Sequence, residues 1–147
     1  MCGIFGYVGD GRGSAEAAGI VLRGLKKLEY RGYDSWGVAV AHDGGVRLEK
    51  HVGKIGEASA ALPPSSLGVG HTRWATHGGV TEPNAHPHLD CRGRLALIHN
   101  GIVSNYRKLR DTLDLSSHRL RSETDTEVIV HLLEDRLART PKDPSSS

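Results

Sequence analysis

Met1-Cys2-Gly3-Ile4-Phe5-Gly6-Tyr7-Val8-Gly9 opens the chain, and its second residue decides how the rest is read. Cysteine is small, so removal of Met1 would leave Cys2 first, with a thiol and a free α-amine on one residue. An unperturbed α-amine has a pKa of about 7.7–8.0 and serves as a base near neutral pH. A nucleophile activated by its own N-terminal amine is established for Thr, and Cys fits the same logic. Gly3 to Val8 also reads as a short buried strand, in which a Cys can equally be a small hydrophobe. The remaining chain has to discriminate.

Working outward, Ser14 is a plausible N-cap for a helix to about Tyr30, with Val21, Leu25 and Leu28 on one stripe beside Ala18 and Leu22. Trp36 to Ala41 reads as a strand. His42-Asp43-Gly44-Gly45 carries the Asp-Gly signal of a tight hairpin, returning along Val46 to Val52. The pattern then predicts a short helix from Ile55 to Leu62, ending at Pro63-Pro64, and a strand from Leu67 to Thr72. Arg73 to Asp90 has no period and reads as a long loop, a length that is often functional. Leu95 to His99 is predicted as a strand, Tyr106 onward as a helix, His118 to Arg121 as a strand, and Asp125 to about Ala138 as a final helix. That helix carries Val128, Ile129, Leu132, Leu133 and Leu137, an apolar stripe that needs a partner and part of which is expected to face water in these residues. Arg139 to Ser147 reads as a polar, disordered tail. Hairpins rather than crossovers join several strands, which favours an α+β fold with mainly antiparallel sheet.

Composition excludes several classes. The 147 residues are 37% hydrophobic and 24% charged, with a net charge of +2, as in ordinary globular chains. No basic run or membrane-length apolar stretch occurs, so neither nucleic acid nor a membrane is an expected partner. Cys2 and Cys91 are the only cysteines and form no disulfide framework or CxxC pair, which points to a reducing cytoplasm. Nine histidines raise a metal hypothesis, but His71, His77, His86, His88 and His99 have neither helical H-x-x-x-H spacing nor Cys partners, so no metal is expected.

Three segments carry chemistry. His71-Thr72-Arg73-Trp74-Ala75-Thr76-His77-Gly78 delivers a cation, an aromatic ring and hydrogen-bonding groups into one loop. Arg73 suits a substrate carboxylate because its guanidinium bonds both oxygens at once, although a surface ion pair and a core-filling Trp74 would use the same residues. His99-Asn100-Gly101 can supply a side-chain amide and a backbone N–H to a developing oxyanion, or simply turn the chain. In Ser122-Glu123-Thr124-Asp125-Thr126-Glu127, Thr124 and Glu127 match a capping box, while Asp125 suits either the helix dipole or a substrate ammonium group.

These segments together resemble the class II, N-terminal-nucleophile glutamine amidotransferases, and among them the glutaminase domains of glutamine–fructose-6-phosphate aminotransferases. The resemblance rests on CGIFGYVG at 2–9, LEYRGYDS at 28–35, GHTRWATHG at 70–78, NAHPH at 84–88, HNGIVSNY at 99–106 and SETDTE at 122–127. It implies an N-terminal-nucleophile hydrolase fold, a four-layer α-β-β-α sandwich with mainly antiparallel sheets. It also implies that Cys2 attacks the amide of L-glutamine, with Asn100 and Gly101 as the oxyanion hole. Arg73 would hold the substrate carboxylate, Asp125 its ammonium group, Thr76 and His77 would line the substrate loop, Trp74 would close the site, and His86 would lie near that loop. No cofactor is implied. The implied acceptor is fructose 6-phosphate, on a sugar-phosphate isomerase domain that these residues do not include.

Two departures accompany the resemblance. Trp36 stands where the family has a small residue, which predicts overpacking costs of roughly 1–3 kcal/mol or a local rearrangement. The second is length: residues 2–138 are expected to form a C-terminally truncated part of such a domain, with a sheet edge open to oligomerisation. Two other readings remain at this point, an amidophosphoribosyltransferase-like enzyme and a non-catalytic binding module.

Overall fold

The computed structural model describes residues 1–10, 16–76 and 78–139. The alternation of small and bulky residues along the N-terminal strands decides the layering. β1 (Gly3–Val8), β2 (Ser35–His42), β3 (Gly45–Val52) and β4 (Leu67–Arg73) form one sheet in the order β1-β4-β2-β3, every neighbour antiparallel. The β2–β3 turn places Asp43 at φ 49° and Gly44 at φ 71°, the left-handed pair that a tight hairpin requires.

One face of this sheet receives α1 (Ala17–Leu28). Ala17, Ala18, Val21, Leu22 and Leu25 are buried there with Trp36, Val38 and Val40 of β2, and Phe5 and Tyr7 pack at the margin. The expected cap, Ser14, lies outside the described residues, and the helix gives way to a single 3-10 turn at Glu29–Arg31. Trp36 is accommodated within this core at 2% exposure, its ring stacked on His51 of β3 with centroids 4.5 Å apart.

The opposite face carries a second, smaller layer. β5 (His88–Leu89) pairs antiparallel with β6 (Ala96–Leu97), and α3 (Asp125–Arg139) packs on both, with α2 (Tyr106–Thr112) beside α3. Close approach of this layer depends on Gly37, because a Cβ there would collide with the His86 carbonyl oxygen. Lys50 ties the layers together, its Nζ donating to the carbonyls of Pro83 (3.1 Å) and Ala85 (2.8 Å). The order α1, four-stranded sheet, β5–β6 pair, α3 is the α-β-β-α sandwich expected from the resemblance.

Two predicted elements are absent and a third is shortened, each where side chains take backbone donors. Ile55–Leu62 is not a helix: Gly56 has φ 51°, and the N–H groups of Ile55 and Ala61 donate to Glu29 (2.6 Å) and Glu49 (2.7 Å). Leu95–His99 keeps only Ala96–Leu97 as strand, since the Leu95 N–H goes to Asp90 and the His99 N–H to His86. His118–Arg121 is not a strand; the Arg121 N–H donates to Glu127 at 2.8 Å. The final helix also buries an unexpected face. Asp125, Thr126, Glu127, Val128, Val130 and His131 are inside, whereas Leu133 and Leu137 are 43% and 59% exposed.

Candidate active site

Alternation along β4 explains why a site forms where it does. Gly70 and Thr72 face α1, so His71 and Arg73 point to the other side, toward the second layer. There they border a cleft of about 460 Å³ together with Cys2, Asn100, Gly101 and Asp125. Residues far apart in sequence thus converge: Cys2 from the start of β1, Arg73 from the end of β4, Asn100 from the segment after β6, and Asp125 from the N-terminus of α3.

Cys2 sits within a defined set of hydrogen bonds. The Trp74 N–H donates to Cys2 Sγ at 3.2 Å, and Asn100 Nδ2 donates to the Cys2 carbonyl oxygen at 2.9 Å. Asn100 is itself oriented by His71, whose Nε2 donates to Asn100 Oδ1 at 2.9 Å. Gly101 adopts φ 151°, where a Cβ would meet His99 Nε2 at 2.8 Å, so only glycine fits beside Asn100. Met1 is 79% exposed and also borders the cleft, its sulfur 3.2 Å from Arg31 Nη2.

Charged groups flank this centre. Arg73 is 4% exposed and donates from Nη1 to the Gly79 carbonyl at 3.1 Å; burial lowers its pKa, against the opposing charges of Cys2, Asp34 and Asp125. Asp125 is buried, its Oδ2 accepting the Val103 N–H at 2.6 Å. Trp74 is 45% exposed over the cleft with its edge against Tyr33, and Thr76 lines the wall. His77 lies outside the described residues.

Three imidazoles stand together at the inner wall of the cleft, which His71 and His86 line. His71 and His86 stack at 4.4 Å, and His88 meets His86 edge-on at 4.6 Å. Burial is the largest cause holding all three neutral, helped by the nearby cations Arg73 and Lys50: His71 falls to about 4, His88 to about 3, and His86 lower still. Neutral His71 donates to Asn100 with its proton on Nε2. His86 accepts the His99 N–H on Nδ1 at 3.3 Å.

A family profile described as a glutamine amidotransferase domain matches residues 1–138. The chain belongs to this family. It is 54% identical over 138 residues to glutamine–fructose-6-phosphate aminotransferase [isomerizing] of Streptomyces coelicolor, covering 90% of this chain and 22% of that protein. The enzymes of the same name from Thermus thermophilus and Pyrococcus horikoshii are 52% and 47% identical, with 22% and 23% of their lengths covered. The chain thus spans under a quarter of the length of these relatives. Among solved structures, glutamine phosphoribosylpyrophosphate amidotransferase from B. subtilis, complexed with ADP and GMP, matches with a TM-score of 0.67 and 26% identity, covering 97% of this chain and 30% of that one. A structure titled as the allosteric regulatory enzyme of purine biosynthesis matches at 0.74 and 28%, with the same coverage. Both matches agree with the layered fold.

In this amidotransferase domain some supporting residues were not singled out by the sequence. Asn84, 1% exposed, donates to the Gly79 carbonyl (3.0 Å) and to Glu123 (3.1 Å) while accepting the Glu123 N–H (2.8 Å), so it fixes the loop that Arg73 grips. His71 could have been found from its two-residue spacing to Arg73 on a strand. The capping box is also revised: Thr124 Oγ1 bonds His88 Nε2 at 2.8 Å, and Glu127 reaches back to the N–H groups of Arg121 and Ser122.

Proposed function

We propose that this domain hydrolyses L-glutamine to glutamate and ammonia through a thioester on Cys2. The observation that carries the reading is the convergence on one cleft of the Cys2 thiol, the Asn100 amide, the Arg73 cation and the Asp125 anion. With Met1 removed, the Cys2 α-amine takes the thiol proton as Sγ attacks the side-chain carbonyl carbon of glutamine. The oxyanion that forms is met by Asn100 Nδ2 and the Gly101 N–H. Collapse expels ammonia, which carries away the proton held by the amine, and leaves a γ-glutamyl thioester. A water deprotonated by the same amine then attacks that thioester, releasing glutamate and returning the thiol. Arg73 binds the substrate α-carboxylate and Asp125 its α-ammonium, while Trp74, Thr76 and His77 close over the bound substrate. His86 supports Asn100 through its stack with His71.

The ammonia acceptor is fructose 6-phosphate on a sugar-phosphate isomerase domain, in a cytoplasmic enzyme. Identities of 47–54% to the aminotransferases, against 26% to the glutamine phosphoribosylpyrophosphate amidotransferase, favour this acceptor over phosphoribosylpyrophosphate.

Two measurements test the reading. Treatment with a diazoketone analogue of glutamine, followed by intact-mass analysis, is expected to show one adduct on a chain lacking Met1; an adduct elsewhere than Cys2 would refute the nucleophile. Steady-state kinetics should then separate the binding and catalytic groups. Arg73→Ala and Asp125→Ala are expected to raise KM for glutamine by ~10²-fold with kcat little changed, since each removes one buried charge partner. Asn100→Ala is expected to lower kcat by ~10²–10³, as for other single oxyanion donors. An Asn100 variant with normal kcat and raised KM would assign it to substrate binding instead.

A further inference from the structure

The polar residues in the middle of α3 have no place in glutamine hydrolysis, and they lead to a second site. His131 and Glu134 lie one turn apart on α3 and face two residues from other elements: Cys91, just after β5, and His118, in the turn that follows α2. His118 and His131 are 7% and 1% exposed, whereas Cys91 is open to solvent. Their four potential ligand atoms all fall within 4.8 Å of one another.

We propose that Cys91 Sγ, His118 Nδ1, His131 Nδ1 and Glu134 Oε2 bind one divalent transition-metal ion, zinc by ligand chemistry, which staples α3 to the β5–β6 hairpin. Four of the six distances among these atoms match the edges of a zinc tetrahedron, and the other two are no longer than 4.8 Å. Cys91 Sγ lies 3.6 Å from both His118 Nδ1 and His131 Nδ1, and Glu134 Oε2 lies 3.4 Å from both. Zinc bonds of about 2.3 Å to sulfur and about 2.0–2.1 Å to nitrogen or oxygen require sulfur–nitrogen edges near 3.5 Å and nitrogen–oxygen edges near 3.4 Å. Four protein ligands leave no open position, which makes this a structural site rather than a catalytic one.

The outer partners support the same assignment. A metal-bound imidazole commonly presents its other nitrogen to a carboxylate, which fixes the tautomer. His118 Nε2 lies 2.9 Å from Asp135 Oδ1, and the His131 Nε2, which makes no hydrogen bond, lies 3.9 Å from Glu127 Oε1. Both rings therefore turn Nδ1 inward and Nε2 toward an acid. Glu134 Oε2 also accepts the Cys91 N–H at 3.1 Å, which holds the carboxylate against the hairpin. A mixed thiolate, imidazole and carboxylate set in tetrahedral array suits Zn²⁺ and disfavours Mg²⁺ and Ca²⁺, which take oxygen ligands. Binding displaces the thiol proton of Cys91.

None of the histidines weighed for a metal in the sequence belongs to this set. The ligands come from three separate segments, and their only local signal is His131-x-x-Glu134.

The test uses the whole protein, stripped with chelator under reducing conditions, desalted, and given Zn²⁺ or Co²⁺. Wild type is expected to retain one metal per chain through a second desalting, and with Co²⁺ to show a thiolate-to-cobalt charge-transfer band with intense tetrahedral d–d bands. Cys91→Ser should lose the charge-transfer band and bind zinc more weakly than Asp135→Asn, for which a ~10–100-fold loss is expected. Zinc should raise Tm in wild type and leave Cys91→Ser unchanged, with ammonia release from glutamine preserved in that variant because Cys91 is outside the cleft. Failure of wild type to retain metal, or a cobalt spectrum without thiolate character, would overturn the site, and neither readout depends on a variant folding. Neither bears on glutamine hydrolysis at Cys2.

Discussion

Cys2→Ala is expected to cut ammonia release from glutamine by ~10⁴-fold or more, since removing the nucleophile leaves only binding and the oxyanion donors. The thiol has no substitute within the cleft: the other cysteine, Cys91, belongs to the α3 cluster. The same geometry assigns a role to N-terminal processing. While Met1 is present the α-amine belongs to Met1, and the Met1 side chain occupies the mouth of the cleft against Arg31. An uncleavable N-terminal extension should therefore be as inactive as Cys2→Ala, and proteolysis that exposes Cys2 should restore turnover. Substantial hydrolysis by a chain that retains Met1 would mean that another group takes the thiol proton.

What the sequence made legible follows the range of the forces involved. β1, α1, the β2–β3 hairpin and β4 are set by local periodicity and turn chemistry, and they appear within a few residues of their expected bounds. Ile55–Leu62 has helical composition, but two distant carboxylates, Glu29 and Glu49, take its N–H groups, and no local pattern records that. The site divides in the same way. Cys2, Arg73, Asn100 and Asp125 stand in compact motifs and converge on one cleft. Asn84 and His71 act through partners such as Glu123 and Asn100, and these meet only in the folded chain. The stripe on α3 is only partly buried, Val128 inside and Leu133 and Leu137 open, and apolar periodicity cannot show that His131 faces inward because His118 and Cys91 meet it there.

The histidine stack behind Asn100 should make the fold acid-labile at pH values that leave most proteins intact. His71, His86 and His88 are neutral in the folded state, with pKa values pulled from 6.5 to about 4 for His71, about 3 for His88 and lower for His86. Burial is the main cause in each. Arg73 and His71 add to it for His86, and Lys50 adds to it for His88 against the opposing charge of Glu127. Below pH 6.5 the unfolded chain binds protons at these positions and the folded chain does not. Their contribution is thus complete above that pH and is lost as pH falls toward 4. Each histidine contributes a slope of about 1.4 kcal/mol per pH unit within the window, so three approach ~4 kcal/mol per unit. His131 works in the opposite sense, because Glu127 and Glu134 raise its pKa despite its burial, but it is one group against three. Against a total of ~5–15 kcal/mol, that slope is enough to unfold the domain near pH 5. Urea midpoints at pH 7, 6, 5.5 and 5, measured in chelator to remove any metal contribution, should fall steeply and monotonically. A midpoint unchanged from pH 7 to 5 would mean that the stack admits protons in the folded state.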